Sequence, residues 1–204
     1  MKTLLILTAV MGIAFGSACS TTTAPNENRT ASGNTAALNT AAENSGTATK
    51  PVDEVPAAVK AAFAGAQSFT TQHKDLTDAQ IASIEKDTSI KVTEKDHHSY
   101  LAFSTTSGSR TQIGAATVVK AAGKDVIIVY ENKDGSPLIK EVRAEGLPTG
   151  FLSQFAGKGH DNDLLLGADI KVNGANEAQA KSVTEAIRVD VLAMQALYGS
   201  AHAH

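Results

Sequence analysis

The chain has a single cysteine, no tryptophan and five prolines in 204 residues. One cysteine cannot close an internal disulfide. Because it stands at position 19, thiol catalysis in the body of the chain is excluded as well. Aromatic residues make up 4%, so any core has to be assembled from Val, Ile, Leu, Ala and a few Phe. No block of Lys or Arg appears and the formal charge is −3, which removes the electrostatic footprint of a nucleic-acid binder. No Gly-x-Ser-x-Gly elbow is present, so nothing marks the chain as a serine hydrolase. The hydrophobic content of 42% is enough for one sizeable domain with appendages.

The first nineteen residues read as a targeting segment. Lys2 gives a positive start, Leu4–Phe15 is an apolar run too short for a permanent membrane span, and Gly16-Ser-Ala-Cys19 follows. Small residues directly before a cysteine resemble a bacterial lipoprotein cleavage site, although an aliphatic residue usually stands where Gly16 is. That resemblance implies diacylglycerol on Cys19 and a membrane-anchored protein of the cell envelope facing the periplasm or exterior. The alternative is ordinary secretory cleavage after Ala18. Residues 20–52 are Thr, Ala, Asn, Ser and Gly with almost no large apolar side chain, the composition of a flexible spacer.

A folded domain is expected over residues 53–198, with 199–204 as a tail. Pro56–Phe63 reads as a short helix stopped by Gly65. Thr77-Asp-Ala-Gln80 has the form of a capping box at the start of a second helix that fades near Lys86–Asp87. Gln67–Lys74 looks extended. Candidate strands follow at Ile90–Thr93, Ser99–Ser104, Gln112–Lys120, Asp125–Glu131 and Leu138–Ala144, parted by Gly-bearing or charged turns. Short connections favour antiparallel pairing. Val126–Tyr130 is continuously apolar and is expected at the centre of the sheet. A brief helix over Pro148–Ala156 and a short strand or extended entry at Asp169–Val172 precede a final helix from Asn176 to Leu197, whose Val183, Ile187, Val191 and Met194 step by three or four. The expected class is α+β: an antiparallel sheet, flanking helices and a long C-terminal helix.

Five phrases occur in a fixed order: Leu76-Thr-Asp-Ala-Gln80 after Phe63, Gly114 with small and apolar followers, Tyr130-Glu-Asn-Lys-Asp-Gly135, Phe151-Leu-Ser-Gln-Phe-Ala-Gly-Lys158, and Ala168-Asp-Ile-Lys-Val-Asn-Gly-Ala-Asn176. In that order they resemble the FMN-binding domain family, which includes flavin-carrying subunits of the Rnf complex and of the sodium-translocating NADH:quinone oxidoreductase. The resemblance covers most of residues 56–197. It implies FMN near Asn173, Gly174, Ala175 and Asn176, with Lys158 as a countercharge, and electron transfer with a membrane or periplasmic redox protein.

Three departures fall at the attachment motif. Asn176 stands where the family carries the flavin-accepting Thr, and an amide cannot form the phosphodiester. Glu177-Ala-Gln179 replaces a Ser-rich continuation. Ile170 stands where an acid is expected, with Asp169 one residue upstream. Any flavin is therefore expected to be non-covalent, and a domain that kept the fold, lost the cofactor and serves as a binding or assembly module is the second function the sequence admits.

No metal site is expected. His97 and His98 are adjacent, so strand alternation sends them to opposite faces. The other histidines have no helical i, i+4 partner, and Asp161-Asn-Asp163 opens like a calcium loop but has Leu165 where an oxygen ligand belongs. Gly157-Lys-Gly159 lacks the Ser or Thr of a phosphate loop.

Overall fold

The computed structural model describes residues 54–105 and 108–200. The targeting segment, Cys19, the spacer, Asp53 and the His202-Ala-His204 end lie outside the described residues. Five strands form one antiparallel meander in sequence order, β1 Ser68–Asp75, β2 Asp96–Ser104, β3 Thr111–Ala121, β4 Lys124–Lys133 and β5 Ser136–Ala144. Helices α1 Ala57–Ala62, α2 Asp78–Thr88, α3 Thr149–Leu152 and α4 Glu177–Tyr198 flank it, with a 3-10 turn at Ser153–Phe155. The class is α+β, as the pattern of elements leads one to expect.

Each face of the sheet buries its own core. Leu101, Ala115, Ile128, Tyr130, Ile139 and Val142 pack beneath α4 together with Phe151, Phe155, Val183, Ile187 and Val191. On the other face Tyr100, Ala102, Ala116, Ile127 and Val129 pack against Val59 and Phe63 of the α1 segment. Both faces of Val126–Tyr130 are therefore covered, although β4 is fourth of five strands and β3 holds the centre. Continuous apolar sequence reports coverage of both faces, not position in the strand order. Gly114 lets α1 approach: a Cβ there would lie 2.7 Å from Phe63 Cε1 and 3.0 Å from the Tyr130 carbonyl oxygen.

The capping box forms at α2, where Thr77 Oγ1 accepts from Gln80 N and Gln80 Oε1 accepts from Thr77 N. The same Gln80 donates through Nε2 to the Ala196 carbonyl, so one side chain both starts α2 and fastens it to α4. Arg188 donates to the carbonyls of Asp87 and Thr88 at the other end of α2.

Ile90–Thr93 is not a strand. Ser89 enters the left-handed region at φ 59, Thr88 Oγ1 takes the Ile90 N–H, and Glu85 Oε1 takes that of Val92. Local side-chain acceptors thus satisfy the backbone that a sheet partner would otherwise need to pair. Asp169–Val172 likewise contributes only one isolated bridge, Leu166 to Ile170. Among the described residues no helix is long and apolar enough to cross a membrane.

Candidate functional site

The start of α4 was expected to receive an anion. Asn173 and Gly174 both have positive φ, 40 and 84, and turn the chain into the helix. The Asn173 amide donates to the Gly150 carbonyl at 3.2 Å, and a Cβ on Gly174 would rest 3.8 Å from Pro148 Cγ. These contacts draw the turn onto Pro148 and the first turn of α3. Asn176 then caps its own helix: its Oδ1 accepts from Ala178 N at 3.0 Å and from Gln179 N at 3.4 Å.

The N–H groups of Ala178 and Gln179 are thereby engaged, and Glu177 adds a carboxylate in the first turn. Ala175, partly buried, packs against the core below. Ile170 is fully buried, so the position of the family's acid is a core position here. Lys158 is half-buried; its N–H donates to the Phe155 carbonyl at 3.1 Å and its own carbonyl accepts from Ile139 N at 2.8 Å. Those bonds tie it to the 3-10 turn and β5. None of these five residues lines the cleft between β2, β3 and α4 or the smaller one beside Ile113, Met194 and Tyr198. Two of the donors that an FMN phosphate would use at this turn are held by Asn176, and Glu177 places a like charge beside them.

A different arrangement appears where the sheet divides. β2 and β3 pair only from Tyr100–Ala116 to Ser104–Thr111. Asp96–Ser99 continue with β1 alone, and Thr117–Ala121 with β4 alone. In the gap between the diverging halves lies a cleft of about 560 Å³, lined by His97, His98 and Tyr100 of β2, by Val118 of β3, and by Ala186 and Asp190 of α4. The coil Ile90–Glu94 closes another side.

Asp190 stands on the apolar stripe of α4, three residues after Ile187, and its side chain is 3% exposed. Three donors converge on it: His97 Nε2 at 3.0 Å on Oδ1, and Thr117 Oγ1 and the Tyr130 hydroxyl, each at 2.6 Å, on Oδ2. A buried carboxylate is tolerable only when its lone pairs are filled in this way. Burial pushes the Tyr130 hydroxyl well above its ordinary value, and the neighbouring Asp190 charge adds to the shift. Since Asp190 takes the Nε2 proton of His97, the ring's Nδ1 is left as an acceptor. That nitrogen is buried and has no hydrogen-bond partner.

On the opposite face of β2, pairing with β1 sets His73 directly across from His98. Asp96 lies two residues before His98 and so points to the same side. Its Oδ2 is 3.2 Å from His73 Nδ1 and 2.7 Å from His98 Nε2. The hydrogen bond from His73 holds the Asp96 carboxyl below its usual range.

Both groups escaped sequence reasoning for identifiable reasons. Asp190 could have been found as a charged residue breaking the stripe of Val183, Ile187 and Val191. The alternation argument for His97 and His98 holds, but the partner of His98 is a residue from the preceding strand, which spacing along one strand cannot reveal. Comparison with known proteins gives no further guide: neither a family model, a curated protein nor a solved structure matches the chain.

Proposed function

We propose that the chain is a cofactor-free binding module of the cell envelope, tethered by a lipid on Cys19, that takes a small amphipathic ligand in the cleft between β2, β3 and α4. The observation that carries this reading is the His97–Asp190 pair lining that cleft, with a buried nitrogen lacking a partner. The cleft's volume falls within the range of about 300–1,000 Å³ usual for a small-molecule pocket, and its lining is apolar and polar in about equal measure, with Lys91, Glu94, Lys120 and Glu185 among the charged groups. Val118, Val119, Ala186 and Val189 supply the apolar walls. Asp190, already holding three donors, fixes the imidazole in one orientation, and a small opening of the wall over the buried Nδ1 lets it accept a hydroxyl or amine proton from the ligand.

The FMN carrier remains the rival function. The ordered motifs support it; the self-capped start of α4 argues against it.

Anilinonaphthalene sulfonate, whose fluorescence rises in apolar surroundings, serves as the probe. The reading expects one saturable site per folded chain, lost in Ala186→Trp and in Val118→Trp, both at partly exposed positions in the cleft wall. Each variant is checked by circular dichroism for an intact fold. Wild-type protein that leaves the probe dark, or two folded variants that bind it as before, would overturn the cleft as the binding site. Saturable quenching of FMN fluorescence, unchanged in both variants, would favour the flavin carrier instead.

A further inference from the structure

We propose that His73, Asp96 and His98 form a binding site for a borderline divalent transition-metal ion of the Zn²⁺ type. The three donor atoms lie within 4.8 Å of one another, on one face of a paired two-strand segment. Two imidazoles and one carboxylate are the ligand set that suits zinc, nickel or copper, and not the all-oxygen preference of magnesium or calcium.

The geometry is nearly that of a bound site. Ligand atoms around a tetrahedral ion with bonds of about 2.0–2.2 Å stand a little over 3 Å apart. The His73 Nδ1 to Asp96 Oδ2 distance of 3.2 Å already meets this, and the 2.7 Å contact of His98 needs only a small opening. The two rings meet edge to face with centroids 4.1 Å apart. The side chains are 30%, 44% and 44% exposed for His73, His98 and Asp96, which leaves an ion a path from solvent.

The backbone fixes the site more firmly than that exposure implies. Directly opposed residues in an antiparallel pair hold their Cβ atoms about 4.5–5.5 Å apart. His73 and His98 are such a pair, and the β1–β2 register runs unbroken from Ser68–Phe103 to Asp75–Asp96. Asp75, opposite Asp96, brings a second carboxylate to the same end of the ladder. An ion would replace the contacts that both rings now make to Asp96, with the imidazole protons residing on His73 Nε2 and His98 Nδ1. Three protein ligands leave at least one position for water or an exogenous donor. This inference stands on the strand pair alone and does not depend on what occupies the cleft, although Asp96 and His98 also reach the cleft lining.

The test uses the full chain with Cys19→Ser, His202→Ala and His204→Ala, which removes sulfur and imidazole donors outside the described residues. Co²⁺ is the spectroscopic probe and Zn²⁺ the calorimetric one. The expected result is one ion per chain, a visible Co²⁺ band, and perturbed imidazole nitrogen resonances of His73 and His98. Removing an outer-shell partner of a metal site already weakens binding by about 10–100-fold, so His73→Ala, His98→Ala and Asp96→Asn should each lose at least that much. Far-UV circular dichroism and melting of the metal-free variants report whether the strand pair survives; His73→Gln serves as a second variant of similar size. Absence of Co²⁺ and Zn²⁺ binding, or binding that persists undiminished in the folded His73→Gln and His98→Ala chains, overturns the proposal.

Discussion

Replacing Asp190 by Ala should be the most damaging single truncation on α4, because the buried carboxylate satisfies three donors at once. Thr117 and Tyr130 are 1% and 2% exposed, so their hydroxyls would be stranded without water. An orphaned buried donor costs about 1–3 kcal/mol, which gives roughly 2–6 kcal/mol for the two. The substitution also removes a charge that was costly to bury, so the lower part of that range, about 2–4 kcal/mol, is the expected loss. With a urea dependence of about 2 kcal/mol per molar, the midpoint should fall by about 1–2 M.

Asp190→Asn separates charge from hydrogen bonding. Its oxygen can still accept from Tyr130 and Thr117, while its amide donates to His97 Nε2 after the ring proton moves to Nδ1. The charge-assisted part is lost, about 1–2 kcal/mol, and the proton now on the buried, unpartnered Nδ1 adds about 1 kcal/mol or more. A double-mutant cycle completes the test. Tyr130→Phe costs about 1 kcal/mol in the wild type but should be neutral or stabilising in the Asp190→Ala background, where it deletes the orphaned hydroxyl. An Asp190→Ala chain within about 0.5 kcal/mol of wild type, or an additive cycle, would refute the network as a unit.

Other expectations follow from the same contacts. Gly114→Ala should destabilise by about 1–2 kcal/mol in urea unfolding, since overpacking against Phe63 and the Tyr130 carbonyl outweighs the smaller entropy gain; a chain as stable as wild type would show that the α1 face is loosely packed. Asn176→Ala should cost about 1 kcal/mol as a lost cap, and no loss would mean that its carboxamide is not committed to the helix. Tyr130 keeps its proton in the folded state to a higher pH than in the unfolded chain, so stability is full below about pH 10 and falls as pH rises beyond it. Tyr198 is raised by burial as well and shares in that slope. Alkaline denaturation monitored alongside tyrosinate absorbance should show Tyr130→Phe losing stability less steeply than wild type; an identical slope would remove Tyr130 as its source.

Periodicity made most of the fold legible. The step of Val183, Ile187, Val191 and Met194 marked α4, and Thr77 with Gln80 marked the start of α2. Strand runs separated by short turns marked the meander. What periodicity could not supply was partnership. Ile90–Thr93 has strand composition but finds its acceptors in Thr88 and Glu85, so it stays coil. His73 and His98 meet only because the β1–β2 register opposes them across an intervening helix. Asn176 was legible as a good cap, and its Oδ1 accepts from the N–H groups of Ala178 and Gln179 as a cap should.

The proposed function holds that Asn176 occupies the Ala178 and Gln179 N–H groups at the start of α4 in place of a phosphate, and that the module works without flavin. The visible absorption spectrum of the full chain, purified from its native host under gentle conditions, tests it most directly. The account predicts a colourless protein with no flavin bands before or after acid denaturation. A yellow protein that releases stoichiometric FMN into the acid supernatant would contradict it.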